Sequence, residues 1–452
     1  MRFASRAHPS QSVSFQEALF AGIAPDGGLY HPDTTPDLAP LFAAFDDSTG
    51  FPLLASRMCA ALLSPEVDKD RAERVVRRAF PFSPVLRRLD RNILLLELFH
   101  GPTCAFKDFG ARFLAAAMEE FLAEGNLNAH AHRDGAEGRA GRIQILVATS
   151  GDTGSAVAHA FHGMANIDVV ILYPSGRVSE LQEKQLTTLG GNVHALEIQG
   201  SFDDCQRLAK EAFGDPDLST RLRLTSANSI NIGRLLPQCF YYVYAATRRS
   251  ELGAAEPTIC VPSGNFGNLT AGVYAWRWGL PVRGFIAATN ANDVVPQYLA
   301  SGRFSPRAST RTLSNAMDVG NPSNFERLQE IFNGDWKGMA SRIEGRSVDD
   351  TRTVQAMKRI SSEHGLLVDP HTAVGCQAAW DSLQHRQGAP AEQLIVLSTA
   401  HPGKFSDIVQ DATGVAPELP ERLARCLSLQ KKAHLLGTEL PELREYLLGL
   451  FA

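Results

Sequence analysis

TICVPSGNFGNLTAG, residues 258–272, begins as an apolar β-branched strand through Val261, breaks on small residues and glycines, and resumes as a helix near Asn268 or Leu269. A strand that turns tightly into a helix is the repeating unit of an α/β sheet. Gly264 and Gly267 permit close backbone approach, so successive N–H groups and a helix N-terminus can hold a phosphate here. The other reading is a tight turn with no ligand. The stretch lacks the GK[ST] ending of a Walker loop and has Gly264-x-x-Gly267 in place of G-x-G-x-x-G. A phosphate-bearing cofactor other than the common nucleotides is therefore expected.

Outward from this stretch the rhythm repeats. IQILVATS (143–150) leads into GDTGSAVAHAFHG, DVVILYPSG (168–176) into VSELQEKQLTTLG, and VHALEIQG (193–200) precedes FDDCQRLAKEAFG. RNILLLELF (91–99) opens the series, VRGFIAATN (282–290) continues it, and QLIVLSTA (393–400) closes it. Such runs predict α/β units on a buried, mostly parallel sheet. Residues 1–90 lack the rhythm: FPLLASRMCAALL reads as a buried helix and EVDKDRAERVVRRAF as an amphipathic one, after the turn-rich APDGGLYHPDTTPDL. A small, mostly helical N-terminal domain over 1–90 is expected, with a catalytic region over 91–452. Within that region, a smaller subdomain is placed around 100–225 and a larger one in the flanking and C-terminal segments, with an irregular insertion around 300–345.

The 452-residue length suits two or three domains. A formal net charge of -5 gives no general attraction to nucleic acid or anionic membrane. Seven scattered cysteines form no CxxC pair, which favours a reducing compartment over a disulfide scaffold. No apolar run of about 18 residues and no signal-type h-region is present, so a cytoplasmic protein is expected. His371 in VDPHTAVG, with Asp369 and His401, forms no regular ligand set, and no metal is expected.

Three further turns carry chemistry. VATSGDTGSAVAHAF (147–161) offers hydroxyls on Thr149, Ser150 and Thr153 and room for backbone amides at Gly151 and Gly154, a setting for a carboxylate or a ring hydroxyl; Asp152 suits helix capping. In LFHGPTCAFKDFG (98–110), Lys107 sits between a strand and a helix, near the strand-end edge where open α/β sheets bind ligands. A lone lysine at such a turn is ordinarily a solvated charge. A lysine amine becomes a nucleophile when burial or neighbouring cations disfavour its ammonium form. The phosphate-bearing cofactor that uses such an amine is pyridoxal phosphate. In LIVLSTAHPGKFSD (394–407), Ser398 and Thr399 end a strand where a hydroxyl can meet a bound ring, or where Thr399 caps the next turn. TSANSINIGRLLPQ (225–238) gathers Asn228, Ser229, Asn231 and Arg234, as substrate contacts, a polar seam or N-caps. Arg234 and Lys404 are the cationic candidates for a second anion; surface charge is the alternative for each.

APDGGLY, ELFHGPTCAFKDFG, VATSGDTGSA, NSINIGR, VPSGNFGN and STAHPGKFSD, in this order along nearly the whole chain, resemble the threonine synthase family of fold type II pyridoxal-phosphate enzymes. The resemblance implies a tryptophan-synthase-beta-like fold of two α/β subdomains with the active site between them, plus the small N-terminal domain. It implies Lys107 as the amine bonded to the cofactor and as the proton shuttle. Ser263, Gly264, Asn265, Phe266, Gly267 and Asn268 would cradle the cofactor phosphate, and Thr399 would face the pyridine nitrogen. The turn Ser150-Gly151-Asp152-Thr153, with Thr149, would lie against the substrate carboxylate and the ring. Asn228, Ser229, Asn231, Arg234 and Lys404 are the candidates for the substrate phosphate. The implied reaction converts O-phospho-L-homoserine and water to L-threonine and phosphate, the last step of threonine biosynthesis, in a monomer or homodimer. Cys104 departs from the small or aliphatic residue usual at its place, a change a small thiol should satisfy. The competing expectation is a phospho-lyase of similar sequence, or a serine/threonine dehydratase, which would yield a 2-oxo acid.

Overall fold

The computed structural model describes residues 1–123, 142–253, 256–385 and 393–451. Its strands, in chain order, are β1 (Phe3–Ala4), β2 (His31–Pro32), β3 (Val85–Arg88), β4 (Ile93–Glu97), β5 (Ile143–Ala148), β6 (Ile167–Pro174) and β7 (Val193–Ile198). They continue with β8 (Arg223–Thr225), β9 (Thr258–Pro262), β10 (Gly284–Thr289), β11 (Ile343–Ser347), β12 (Leu394–Ser398) and β13 (His434–Leu436).

The N-terminal segment folds around helices Phe15–Ala21, Phe51–Leu63 and Lys69–Ala79. Ser14 and Glu17 cap the first reciprocally, and the Asp68 side chain accepts from the Arg71 amide at the start of the third. The helices bury an aromatic cluster shared with the catalytic region. Phe109 packs its ring against Phe51 (5.5 Å), Phe80 (5.6 Å), Phe82 (5.0 Å) and Tyr241 (5.4 Å). Offset and edge contacts at these separations are the favoured geometry for aromatic rings. They fix the first turn of the helix Lys107–Ala123, and with it the lysine.

Two sheets carry the catalytic region. The larger has the order β11-β10-β9-β12-β4-β3, parallel except for the antiparallel edge strand β3. The smaller, β13-β7-β6-β5-β8, is parallel throughout. β4, β5, β6 and β9 are buried along their whole length, which is why they read as unbroken apolar runs.

Three sequence expectations change. The division at residue 90 leaves β3 with the N-terminal unit, whereas β3 pairs with β4 and extends the larger sheet. VLRR is too short and too charged to announce itself as a strand of that sheet. The C-terminal tail, assigned to the larger subdomain, returns to the smaller one: β13 pairs with β7, and Leu443, Leu447 and Phe451 join the core around Leu208 and Ala212. Residues 300–345 are irregular only in part. The stretch 302–314 has no regular structure, but helices Phe325–Ile331 and Trp336–Arg342 follow, and β11 completes the sheet edge.

Candidate active site

The βα turn after β4 presents Lys107 as the first residue of its helix. The turn is closed by Asp108, whose carboxylate accepts from the Thr103 amide and the Thr103 hydroxyl, each at 2.8 Å. Burial pushes the Asp108 carboxyl up to about 6 against those hydrogen bonds. The turn is tied to the end of β12 as well, because the Phe106 amide donates to the Thr399 carbonyl at 2.8 Å. Lys107 Nζ lies 5.8 Å from the Phe106 ring centroid. Its side chain keeps partial exposure, yet protein surrounds the amine closely. Desolvation lowers the amine from 10.5 to about 8; Asp152 opposes the shift, while Arg234 and Lys404 add to it.

The turn after β9 contains Ser263–Asn268, with the helix beginning at Gly267. Phe266 holds a left-handed φ of 61° at the helix entry, which turns the backbone sharply. No described residue accepts from the N–H groups of Gly264, Asn265, Phe266, Gly267 or Asn268. The polar side chains of the turn are committed to holding it. Asn265 donates to Ser229 Oγ at 2.9 Å and accepts from the Ser323 amide at 2.5 Å, and Asn268 donates to the Pro262 carbonyl at 2.8 Å. Ser263 Oγ donates to the Val261 carbonyl at 3.0 Å. A row of free amides at a helix N-terminus is an anion site, and a phosphate ester fits it.

The turn after β5 is built differently. Thr149 Oγ1 accepts from the Gly151 and Gly154 amides at 2.9 and 2.8 Å, so this hydroxyl shapes the loop. Gly151 has φ 135°, and a Cβ there would lie 2.6 Å from the Gln182 side chain. Ser150 and Thr153 are half-buried, and no described residue bonds their hydroxyls. Asp152 pairs with Lys404 Nζ at 2.8 Å and accepts from Gln182 Nε2 at 3.1 Å. Burial would raise its carboxyl, but Lys404, Lys107 and these hydrogen bonds hold it well below the usual carboxylate range. Lys404 is buried and also donates to the Thr103 carbonyl at 2.9 Å.

The polar segment before the helix Gln238–Ala246 splits into two roles. Asn231 is fully buried and spends its amide on the Leu19 and Ser226 carbonyls and the Gly233 amide, so it caps and anchors. Arg234 donates through Nη1 to the Ala227 carbonyl at 2.7 Å and is buried with its Nε unpartnered. Asn228 Oδ1 is likewise buried and unpartnered. Ser229 joins the second turn to this segment, accepting from Asn265 and, at 3.3 Å, from Asn324. Thr399 follows β12 directly, with a hydroxyl that no described residue bonds, while Ser398 Oγ is engaged with Thr372 Oγ1 at 3.1 Å.

Sequence reasoning missed several supports. Gln182 appears in sequence only as the third residue of a capping box with Ser179. Arg327 is 1% exposed and donates to the Tyr30, Ser229 and Ile230 carbonyls and to Asn324 Oδ1. Nothing in its local helical pattern sets it apart from a surface arginine. Lys107, Lys404 and Arg234 against Asp152 and Asp108 make a cluster with an excess of cation, prepared for an anionic ligand beside an amine of lowered proton affinity. A pyridoxal phosphate group fits these residues: amides for its phosphate, an amine for its aldehyde and a free hydroxyl for its ring.

Comparison with known proteins agrees with that chemistry. The chain matches the pyridoxal-phosphate dependent enzyme family over residues 79–399, the threonine synthase N terminus over 2–80 and the threonine synthase C-terminal region over 372–447. It is 41% identical to the threonine synthase of Haemophilus influenzae, with 98% of each chain covered. The crystal structure of threonine synthase from Escherichia coli superposes with a TM-score of 0.87 at 40% identity, covering 100% of both chains. A pyridoxal-phosphate-bound threonine synthase from Brucella melitensis superposes with a TM-score of 0.88 at 35% identity, covering 100% of this chain and 99% of that one.

Proposed function

The chain belongs to the threonine synthase family of pyridoxal-phosphate-dependent enzymes, and we propose that it converts O-phospho-L-homoserine and water to L-threonine and phosphate with Lys107 as the proton-transferring amine. Pyridoxal phosphate, when bound, supplies the electron sink that lets protons leave Cα and then Cβ. The observation that carries the assignment of roles is the depressed Lys107 amine, which loses its proton at about 8. Free for part of the time near neutrality, its Nζ can take the Cα proton and deliver one back.

The remaining roles follow from what each group has left to give. The amides of Gly264–Asn268 would hold the cofactor phosphate, whereas the Ser263 amide, expected to join them, is spent on the Ala288 carbonyl at 2.8 Å; the Thr399 hydroxyl would meet the pyridine nitrogen. A hydroxyl leaves that nitrogen uncharged, a setting that favours elimination and replacement over transamination. Ser150, Gly151, Asp152 and Thr153 line the substrate carboxylate, with Thr149 shaping their turn. Arg234, with an unused buried N–H, holds the substrate phosphate together with Asn228 and Ser229. Asn231 supports Arg234 from behind, and Lys404, already paired with Asp152, adds positive potential rather than a direct bond. We further place the protein in the cytoplasm, which its seven free, buried cysteines support, as a monomer or homodimer that sedimentation would resolve.

Incubation of the purified holoenzyme with O-phospho-L-homoserine, followed by separation of L-threonine from 2-oxobutanoate, tests the reaction. Threonine as the main product is expected. 2-Oxobutanoate alone would make the protein a phospho-lyase, and release of phosphate by itself would not discriminate the two.

A further inference from the structure

Behind the phosphate-binding turn lies a buried group that the reaction does not use. Asp369 is fully buried at the start of the helix Pro370–His385, and its Oδ1 accepts from the His371 amide at 2.9 Å and from His371 Nδ1 at 2.7 Å. The opposite ring nitrogen, Nε2, accepts from the Ala316 amide at 3.2 Å. An acceptor at Nε2 and a carboxylate at Nδ1 define the neutral Nδ1–H tautomer. The ring is pinned further by Phe405, whose centroid is 5.0 Å away.

Ala316 is the back wall of the phosphate turn. A Cβ on Gly264 would lie 2.7 Å from the Ala316 carbonyl oxygen and 2.7 Å from Met317 Cα, so the two backbones are in direct contact. The other oxygen of Asp369 accepts from the Thr372 hydroxyl, which is bonded to Ser398 Oγ next to Thr399. One carboxylate thus braces both ends of the cofactor site: the wall behind Gly264 through His371, and the end of β12 through Thr372.

We propose that His371 and Asp369 are positioning residues of the cofactor site, fixing the Ala316 backbone so that the Gly264–Asn268 amides converge on a phosphate. His371 touches neither cofactor nor substrate in this role. The inference rests on the assignment of that turn to the cofactor phosphate.

Apoprotein carrying His371→Leu or His371→Gln, titrated with pyridoxal phosphate and with pyridoxal, tests it. Pyridoxal has the aldehyde and ring but no phosphate, so damage confined to the amide row weakens only the first ligand. The leucine variant should bind pyridoxal phosphate at least tenfold more weakly, with pyridoxal affinity changed less than threefold. Glutamine, whose Oε1 can accept from the Ala316 amide, should recover most of the loss. Equal weakening of both ligands, unchanged pyridoxal phosphate affinity, or no recovery with glutamine would overturn the proposal. If the leucine variant does not fold, Ala316→Pro removes the donor and leaves His371 in place. It should show the same selective loss, and its absence counts against the proposal. Equal affinity of the unaltered protein for the two ligands would reject the phosphate assignment itself, and this inference with it.

Discussion

Lys107 and Lys404 lie in the same electrostatic cluster and face opposite demands. Lys404 has a carboxylate at 2.8 Å and a carbonyl at 2.9 Å, so its charge is compensated. Lys107 is desolvated beside Arg234 and Lys404 with only Asp152 in opposition, so its charge is not. Lys107→Ala should lower turnover by about 10³-fold or more, and borohydride reduction of the holoenzyme should leave no pyridoxyl mass on its peptide. Because the free amine is the reactive form and titrates at about 8 rather than 10.5, the rate at which the apoprotein captures pyridoxal phosphate should rise with pH and level off above about 8. A rate still climbing towards pH 10 would show an ordinary lysine. Removing one partner of a buried pair strands the other, so Asp152→Asn should destabilise the protein by about 3–5 kcal/mol. The double change Asp152→Asn with Lys404→Met should restore part of that in chemical denaturation without restoring activity.

At the scale of elements, the phosphate turn is held from outside itself. Asn265 is bonded to Ser229 and Ser323, and Gly264 lies on Ala316 and Met317, all remote in sequence. Gly264→Ala forces that backbone pair apart; overpacking of this kind costs about 1–3 kcal/mol. A loss of about tenfold or more in pyridoxal phosphate affinity is expected from spectroscopic titration of the apoprotein. The strand-to-helix steps at 143–161 and 258–277 were legible in sequence because alternation, apolar runs and turn glycines are local signals. β3, with the residues VLRR, was not legible, since its strand character comes from pairing with β4 and not from its own pattern.

Across the whole molecule, long-range packing joins units that the chain order separates. Arg327 links the N-terminal segment at Tyr30 to the turn at Ser229 and Ile230, and it also holds Asn324, whose side chain packs beside Gly267 of the phosphate turn. The tail closes the smaller sheet: β13 covers the edge of β7, while Leu443, Leu447 and Phe451 fill the core beneath. Burying a large apolar side chain is worth about 1.5–3 kcal/mol, so deletion of residues 434–451 should cost about 5 kcal/mol or more. A lower thermal midpoint and faster hydrogen exchange in β7 are the expected signs, and an unchanged midpoint would mean that the tail is only docked.

The sequence by itself determined the α/β units, the turns at 107, 149–154 and 263–268, and the cofactor they imply. Each of those features is written in a few consecutive residues, as a period, a glycine or a hydroxyl at a strand end. Only the tertiary structure decided which polar residues are free to act and which are already spent. Thr149 and Asn231 prove to be loop and cap supports, Arg234 keeps an unused N–H, and Lys404 is paired with Asp152. Desolvation and Coulomb interaction depend on distance in space, and Lys107 meets Asp152, Arg234 and Lys404 only after the strand ends of two sheets have come together.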